Sequence, residues 1–400
     1  MSNPARTIIS RIVWRAIQPR IFDKIRPKIY RTNVFLLEGK TKRSNRDLSI
    51  MFSAKKEIIE YFSKLLYAEK PEIKYFEKDA LQNIPSIIAK TNPDIVFVEA
   101  NESFSEFFLS NKFFILPSIN FTLDLSDPWN LIYARMNRSK RWMIHQVKKL
   151  GYTYETTKDC EKLRLFYYGM YLPYILKRHN ESAQVVSFAE FKRLFRGGGL
   201  LLVKLNGEYA SGLIYVLHND EVYVPILAIN ETYNHLKKGA GYAALYSLIL
   251  FAKGEGYKKL DYGSWYPFLK DGLFLYKKAW GMSIRSKTWR EEKIYAIKFC
   301  NFNEGARDFL LDNPFIFTDA ENLRGLVLLD SNIEDLHKIY YVPGLSGLIV
   351  LCSTPDPSNS QLTQLHKLSL DDNPSQIPLP LRSFMKTASE KGYEIYHLDF

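Results

Sequence analysis

The residues best suited to chemistry lie between Tyr223 and Gly281. A basic glycine turn, Lys237-Lys238-Gly239-Ala240-Gly241, joins an apolar strand, Tyr223-Val224-Pro225-Ile226-Leu227-Ala228-Ile229, to an apolar segment from Tyr242 to Lys253. Glycines at 239 and 241 let the main chain bend and remove the Cβ atoms that would hold a ligand away. The first amides of a helix have no partner within it, and the helix dipole favours negative charge there. With Lys237 and Lys238 beside it, the turn suits a phosphate. The same residues also fit a glycine-containing loop with two solvated lysines. Downstream, Tyr257 to Gly263 reads as a short strand. It brings Asp261 beside the turn, as a base, as a substrate-orienting carboxylate, or as a cap on the next loop. Arg178 is the best candidate for gripping an acidic substrate, because a guanidinium holds a carboxylate or phosphate bidentately. Tyr262, Trp265 and Tyr266 would line an acceptor pocket or fill a loop.

The elements that position these groups are legible in the pattern. Leu245, Leu248, Ile249 and Ala252 recur at helical spacing, so the segment after the turn is a helix, stopped by Gly254 and Gly256. Before the turn, Gly197-Gly198-Gly199 introduces Leu200 to Leu205, the Asn206-Gly207 turn and a returning strand from Ala210 to Leu217. A second tight turn, His218 to Glu221, leads into the strand at 222–229. Three antiparallel strands therefore feed the glycine turn. Upstream, Asp127 to Lys149 is a helix start followed by a strongly basic helix. Phe35-Leu36-Leu37, Leu48 to Phe52, Asp94 to Glu99 and Phe113 to Pro117 read as strands, with a helix from Ala54 to Tyr67, making an α/β unit up to about residue 130. Near the end, strands at Gly325 to Asp330 and Gly347 to Cys352 flank a helix from Asn332 to Ile339. A Ser/Pro/Asp-rich linker from Ser353 to Pro380 precedes a final helix and strand. This end is either a small appended domain or an extension of a neighbouring sheet.

Charge is unevenly placed. Residues 1–50 hold twelve Lys and Arg against three acidic residues, most of the net +12 of the chain. Ile8, Ile9, Ile12, Val13, Ala16 and Ile17 share one helical face there, so the start could lie on an anionic membrane surface, contact RNA phosphates, or pack as a solvated basic helix on its own domain. No apolar run of about eighteen residues predicts a spanning helix. Cys160, Cys300 and Cys352 lie far apart without metal-ligand spacing, which predicts free thiols, no zinc site and a reducing compartment.

Lys238-Gly239-Ala240-Gly241-Tyr242-Ala243 resembles the Gln/Arg-x-x-Gly-x-Gly/Ala signature of the GNAT acyltransferases, with lysine in place of Gln or Arg. A register one step upstream, with Leu236 leading, also fits. Four further segments resemble the FemAB-like branch, including its BioF2-like, cellulose-biosynthesis-type acetyltransferase domains. They are the basic helix Arg138 to Gly151, the aromatic helix Phe166 to Arg178, the strand end Asp261-Tyr262-Gly263, and Gly272 to Gly281 with its Tyr276-Lys277 pair. The resemblance covers roughly residues 135–290. It implies an α/β (α+β) fold with mixed, mainly antiparallel GNAT-like sheets flanked by helices. Its expected parts are a basic segment at 1–30, a degenerate GNAT-like half at 31–130, an acyltransferase domain at 131–310 and a C-terminal α/β extension at 311–400. It also implies that Ala228, Ile229, Lys237, Lys238, Gly239, Ala240, Gly241, Tyr242 and Ala243 cradle an acyl-CoA, and that Tyr276 is an acid near the sulfur or a buried core tyrosine. Lys277 is then a holder of anionic charge or a surface lysine.

The function expected is N-acyl transfer from acyl-CoA, acetyl-CoA above all, to the amine of a small molecule or cell-envelope precursor, by direct attack and without a metal. The setting expected is cytoplasmic, with peripheral membrane contact through residues 1–30. The alternatives are a FemAB-type enzyme taking its donor from aminoacyl-tRNA, although no long helical arm is evident, and a non-catalytic GNAT-fold scaffold binding an anionic lipid or nucleic acid.

Overall fold

A computed structural model describes residues 31–53, 56–80, 83–100, 113–179, 185–231, 238–285, 294–319, 322–329, 336–353, 366–367 and 393–399. The basic start at 1–30, Lys237, most of the linker and the expected final helix lie outside the described residues. In chain order the first strands are β1 (Arg31–Lys40), β2 (Asp47–Ser53), β3 (Glu72–Ala80), β4 (Ile95–Ala100), β5 (Phe113–Ile115) and β6 (Ile119–Asp124). Next come β7 (Thr153–Thr157), β8 (Gly198–Leu205), β9 (Glu208–His218), β10 (Glu221–Ile229), β11 (Lys259–Trp265) and β12 (Ser283–Arg285). The last are β13 (Ile294–Phe299), β14 (Phe315–Asp319), β15 (Asn322–Leu329), β16 (Gly347–Ser353), β17 (His366–Lys367) and β18 (Tyr393–Asp399). The helices begin with α1 (Lys56–Leu66), α2 (Ile84–Thr91), α3 (Trp129–Arg135), α4 (Arg138–Lys149) and α5 (Cys160–Phe166), which passes through a π-helical turn, Tyr167–Tyr171, into α6 (Leu172–His179). They continue as α7 (Phe188–Arg196), α8 (Ala240–Gly254), α9 (Gly272–Ala279), α10 (Glu304–Asp312) and α11 (Leu336–Tyr340).

Two open mixed sheets result. One has 11 strands in the order β17-β18-β16-β15-β14-β5-β13-β4-β2-β1-β3; the other has 7 in the order β12-β6-β11-β10-β9-β8-β7. Pairing is mainly antiparallel, with parallel pairs at β2–β4, β10–β11 and β15–β16. The hairpin expected at Asn206-Gly207 is present: both residues have positive φ, 54° and 85°, and Leu205 faces Glu208 across a two-residue turn. Helix α8 is buried on most of its surface, from Ala240 through Ala243, Leu245 and Leu248 to Ala252, because it lies in the main core against β8, β9 and β10. Among the described residues no helix is long and apolar enough to cross a membrane.

The strands do not respect the boundaries at 130 and 310. Strand β6, placed by sequence in the first half, lies between β11 and β12 of the second sheet, while β13 lies between β5 and β4 of the first. Strands β14 to β18 extend that first sheet. The C-terminal part therefore follows the sheet-extending alternative: β16 pairs with β15, β15 with β14, and β14 joins β5 of the first sheet at Thr318↔Phe114.

The junction between the halves turns on Asp271. Its carboxylate caps α9, accepting from Leu273 N (2.8 Å) and Phe274 N (3.2 Å), and also accepts from Trp265 Nε1 (2.6 Å) and from Tyr61 Oη on α1 (3.2 Å). Tyr61 stacks on Tyr266 with centroids 4.2 Å apart. Asp271→Ala should cost roughly 2–3 kcal/mol, about one for the cap and the rest for donors left without an acceptor. Removing the exposed Asp312 partner of Arg43 should cost under about 0.5 kcal/mol. Urea midpoints of the two variants check the contrast.

At the other edge of the second sheet, Glu155 on β7 accepts from Lys162 (2.6 Å), Lys204 (2.8 Å) and Tyr209 (2.9 Å), and these donors, Lys162 first, pull its carboxyl down to about 2. A carboxyl lowered by folding stabilises the protein above its unfolded pKa and loses that contribution as pH falls toward the folded one. Glu155→Gln should therefore lower the melting temperature at pH 7, by an amount equivalent to roughly 1 kcal/mol after screening. The gap from wild type should close between about pH 4.5 and pH 2.

Candidate active site

Strand β10 ends with Ala228 and Ile229 both buried, and the chain re-enters the described region at Lys238, which is exposed. Gly239 then has φ +83°, a left-handed conformation that favours glycine, and it is the N-cap of α8 without any side-chain cap. The amides of Tyr242 and Ala243 donate to the Gly239 carbonyl at 3.0 Å. Ala240 and Gly241 occupy the first turn, where amides have no acceptor within the helix. A buried hydrogen bond from Ser211 Oγ to the Ala240 carbonyl, 2.8 Å, fixes the turn to β9. The two glycines serve different ends. A Cβ on Gly239 would lie 2.8 Å from Met143 Cε, whereas one on Gly241 would point at Ile229 Cδ1, 3.1 Å away. Gly241 thus lets α8 close on β10, and it does not clear a path for a ligand. The fit to an anionic diphosphate rests on the left-handed turn at Gly239, the first-turn amides and Lys238.

Beside the turn the sheet opens. Strands β10 and β11 pair in parallel only from Glu221↔Lys259 to Tyr223↔Asp261. Immediately after that point the pairing of β10 with β9 shifts register between Tyr223 and Ile226, and that of β11 with β6 shifts between Asp261 and Ser264. Pro225 sits in the first irregularity, where its missing N–H costs no ladder bond.

Five elements converge near this opening. Tyr242 comes from α8, Tyr262 from β11, Tyr276 and Trp280 from α9 and the turn after it, Lys140 from α4, and Tyr174 from α6. The ring of Tyr276 lies 6.0 Å from Tyr242 and 6.5 Å from Tyr262, and Trp280 lies 6.2 Å from Tyr242. Lys140 is only 6% exposed; its Nζ sits 4.6 Å above the Tyr242 ring and 4.4 Å above the Tyr276 ring, with Tyr242 Oη at 3.4 Å. Burial lowers the Lys140 ammonium pKa. Burial pushes the Tyr276 phenol up to about 12, opposed by the Trp280 indole, which faces its oxygen without completing a well-formed hydrogen bond. Tyr262 is raised well above its ordinary value, again by burial first and by Tyr276 second. Both phenols keep their protons at neutral pH, so the cluster is a set of O–H donors around one ammonium. Arg178, exposed, stacks its guanidinium 4.7 Å over Tyr174, and Tyr174 is electrostatically felt by Tyr262 and Tyr276.

Other residues selected from sequence are placed differently. Asp261 is tied on both oxygens: Oδ1 accepts from Gly263 N (2.8 Å), and Oδ2 accepts from Asn120 Nδ2 (2.8 Å) with Arg285 at 3.5 Å. Lys277 is neither a surface lysine nor open to a ligand. It is 3% exposed, and its Nζ donates to the carbonyls of Tyr262 (3.0 Å), Gly263 (3.0 Å) and Ser264 (3.3 Å). Trp265 is held by Asp271, at the junction and not among the clustered tyrosines. Lys140 was missed, although a signal existed: Lys140, Ile144 and Val147 share the buried face of α4, so a lysine stands on an apolar stripe. Lys277→Met should destabilise the protein by roughly 3 kcal/mol, since three carbonyls would lose a charged donor at once. Lys277→Arg should not restore stability, because a planar fork cannot serve three carbonyls placed around one nitrogen. Denaturant unfolding of both variants measures this.

No protein-family model and no curated protein matches the chain. Among solved structures, FemX is similar over 65% of this chain and 83% of its own, at 13% identity and a TM-score of 0.38. L-PGS from Bacillus licheniformis is similar over 70% and 85%, at 13% identity and 0.35. A GCN5-related N-acetyltransferase from Sphaerobacter thermophilus is similar over 52% and 60%, at 10% identity and 0.31. At such scores the likeness adds nothing to what the topology itself displays. Strands β8, β9 and β10 run antiparallel into a glycine turn and α8, and β11 returns parallel to β10. The second sheet thus has a GNAT-like strand order, and the chain is a mixed α/β fold of two open sheets flanked by helices.

Proposed function

We propose that the protein is an N-acyltransferase that moves an acyl group from acyl-CoA to the amine of a small molecule or envelope precursor. The observation that carries this reading is the opening between β10 and β11 beside an uncapped helix N-terminus at Gly239, whose first turn carries Tyr242 of the Lys140–tyrosine cluster. Ala228, Ile229 and residues 238–243 supply the cofactor cradle, with Lys237 continuing it beyond the described residues. The first-turn amides and Lys238 hold the diphosphate through hydrogen bonds and charge. The bound thioester supplies an electrophilic carbonyl and a thiol leaving group. Arg178 on its Tyr174 platform receives an anionic group of the acceptor, and Tyr262 lines the path between them.

Magnitudes separate the catalytic candidates. Tyr276, with its pKa pushed up to about 12, is a good hydrogen-bond donor to sulfur. It is a poor proton source for a thiolate whose thiol titrates near 8.5, because full transfer would run uphill by roughly 5 kcal/mol. Asp261 and Lys277 are committed to neighbours, so their part is to shape the opening. They hold the β11 end and α9, and therefore Tyr262 and Tyr276, in place. Peripheral contact with an anionic membrane through residues 1–30 belongs to the same proposal.

Thermal unfolding with coenzyme A or acetyl-CoA tests the reading. Ligand at a hundredfold excess over Kd should add about 2.7 kcal/mol to stability. Lys238→Glu places a negative charge at the turn without disturbing the fold, and it should weaken binding roughly tenfold, about 1.4 kcal/mol. Absence of any shift in the wild type would sink the acyl-CoA donor. Gly241→Trp is a poor probe, since a side chain there strikes Ile229 whether or not a ligand binds.

A further inference from the structure

Building on the acyl-thioester reading, we propose that Lys140 is the proton-transfer residue of the cleft, with its ammonium meeting the departing sulfur. The buried lysines Lys140 and Lys277 differ in kind. Lys277 spends its protons on three main-chain carbonyls. Lys140 has, among the described residues, two aromatic faces and one marginal contact to Tyr242 Oη, with no carboxylate or carbonyl. A buried ammonium without a counter-ion is costly to keep, and such groups concentrate where chemistry needs them. Its position fits the task. Tyr242 stands one residue after Gly241 at the anion-binding end of α8, and Tyr276 lies on α9, so Nζ sits where the two helices meet beside the opened strands. The titratable groups facing it are Tyr242 and Tyr276, with Tyr262 and Tyr174 behind Tyr276; Arg138 and Arg141 are its neighbours on α4. Burial raises Tyr276, Tyr262 and Tyr174, so none of these three competes as a base. Burial, by lowering the ammonium pKa, brings Lys140 toward the range of a thiol and makes it a better partner for sulfur than Tyr276.

The step balances without a further reactant. The acceptor nitrogen attacks the thioester carbonyl carbon; the N–C bond forms, the C–S bond breaks, and sulfur keeps the electron pair. Lys140 gives that sulfur a proton, and the resulting neutral amine takes the proton shed by the new amide nitrogen. Amine and thioester become amide and thiol, and Lys140 is again an ammonium.

The thiol of bound coenzyme A reports this contact without a known acceptor, because its thiolate absorbs in the ultraviolet and a neighbouring cation lowers its pKa. A pH titration of coenzyme A bound to the full chain should show the thiolate forming at least one pH unit, tenfold, higher in Lys140→Met than in wild type. Lys140→Arg should keep the wild-type value. Thermal melting of Lys140→Met should be unchanged or higher, since it removes an uncompensated buried charge. A purely structural lysine would lower melting and leave the titration alone. Should Lys140→Met not fold, Lys140→Gln is read in the same way. Identical titrations for wild type and variant, with coenzyme A bound to both by calorimetry, would overturn the proposal and spare the acyl-CoA reading. Failure of the wild type to bind coenzyme A would overturn both.

Discussion

Where two parallel strands part, their main-chain groups must find new partners, and this requirement organises the site. Beyond Tyr223↔Asp261, β11 has lost β10 on one side, and a register shift interrupts its ladder with β6 on the other. The carbonyls of Tyr262, Gly263 and Ser264 lie along this interrupted stretch, where an unmade bond costs about as much as a lost hydrogen bond. Lys277 supplies all three from α9. The same contact sets the distance between α9 and the strand end, and so brings Tyr276 to Tyr262 and Trp280 to Tyr242. An open sheet and a packed tyrosine cluster are two results of one lysine.

The cluster in turn explains the electrostatics. Phenols in a poorly solvated space lose little by staying protonated, and burial shifts both Tyr262 and Tyr276 upward. An ammonium in the same space gains from the ring faces, but burial takes it out of water, so its shift runs downward. The charged and neutral forms of Lys140 are thereby drawn closer in energy than those of an exposed lysine. Asp261, by contrast, is held in place by Asn120, Arg285 and the Gly263 amide.

The two sheets are interleaved through β6 and β13, and Asp271 joins them by accepting from α1, from the β11 end and from its own helix. Helix α9 is thus both capped by Asp271 and the carrier of Tyr276, which ties the Tyr61 contact on α1 to the element that presents the cluster.

By itself the sequence determined what local rules control. Alternation and turn residues located β8, β9 and β10, the helical period located α8, and Gly239 marked a left-handed turn that few other residues would tolerate. The resemblance of five segments supplied the fold class and the identity of α9. Tertiary structure decided the rest, because it depends on partners distant in the chain. That β6 pairs with β11, that β14 to β18 extend the first sheet, and that Lys277 spends its charge on carbonyls are long-range facts with no local signature. Asp261 reads from sequence as a base, a substrate-orienting carboxylate or a cap, and its contacts with Asn120 and Arg285 come from residues far away in the chain. Lys140 was legible only in part: its place on the apolar stripe of α4 could be counted, but the absence of a carboxylate facing it among the described residues is known only once the helices are packed.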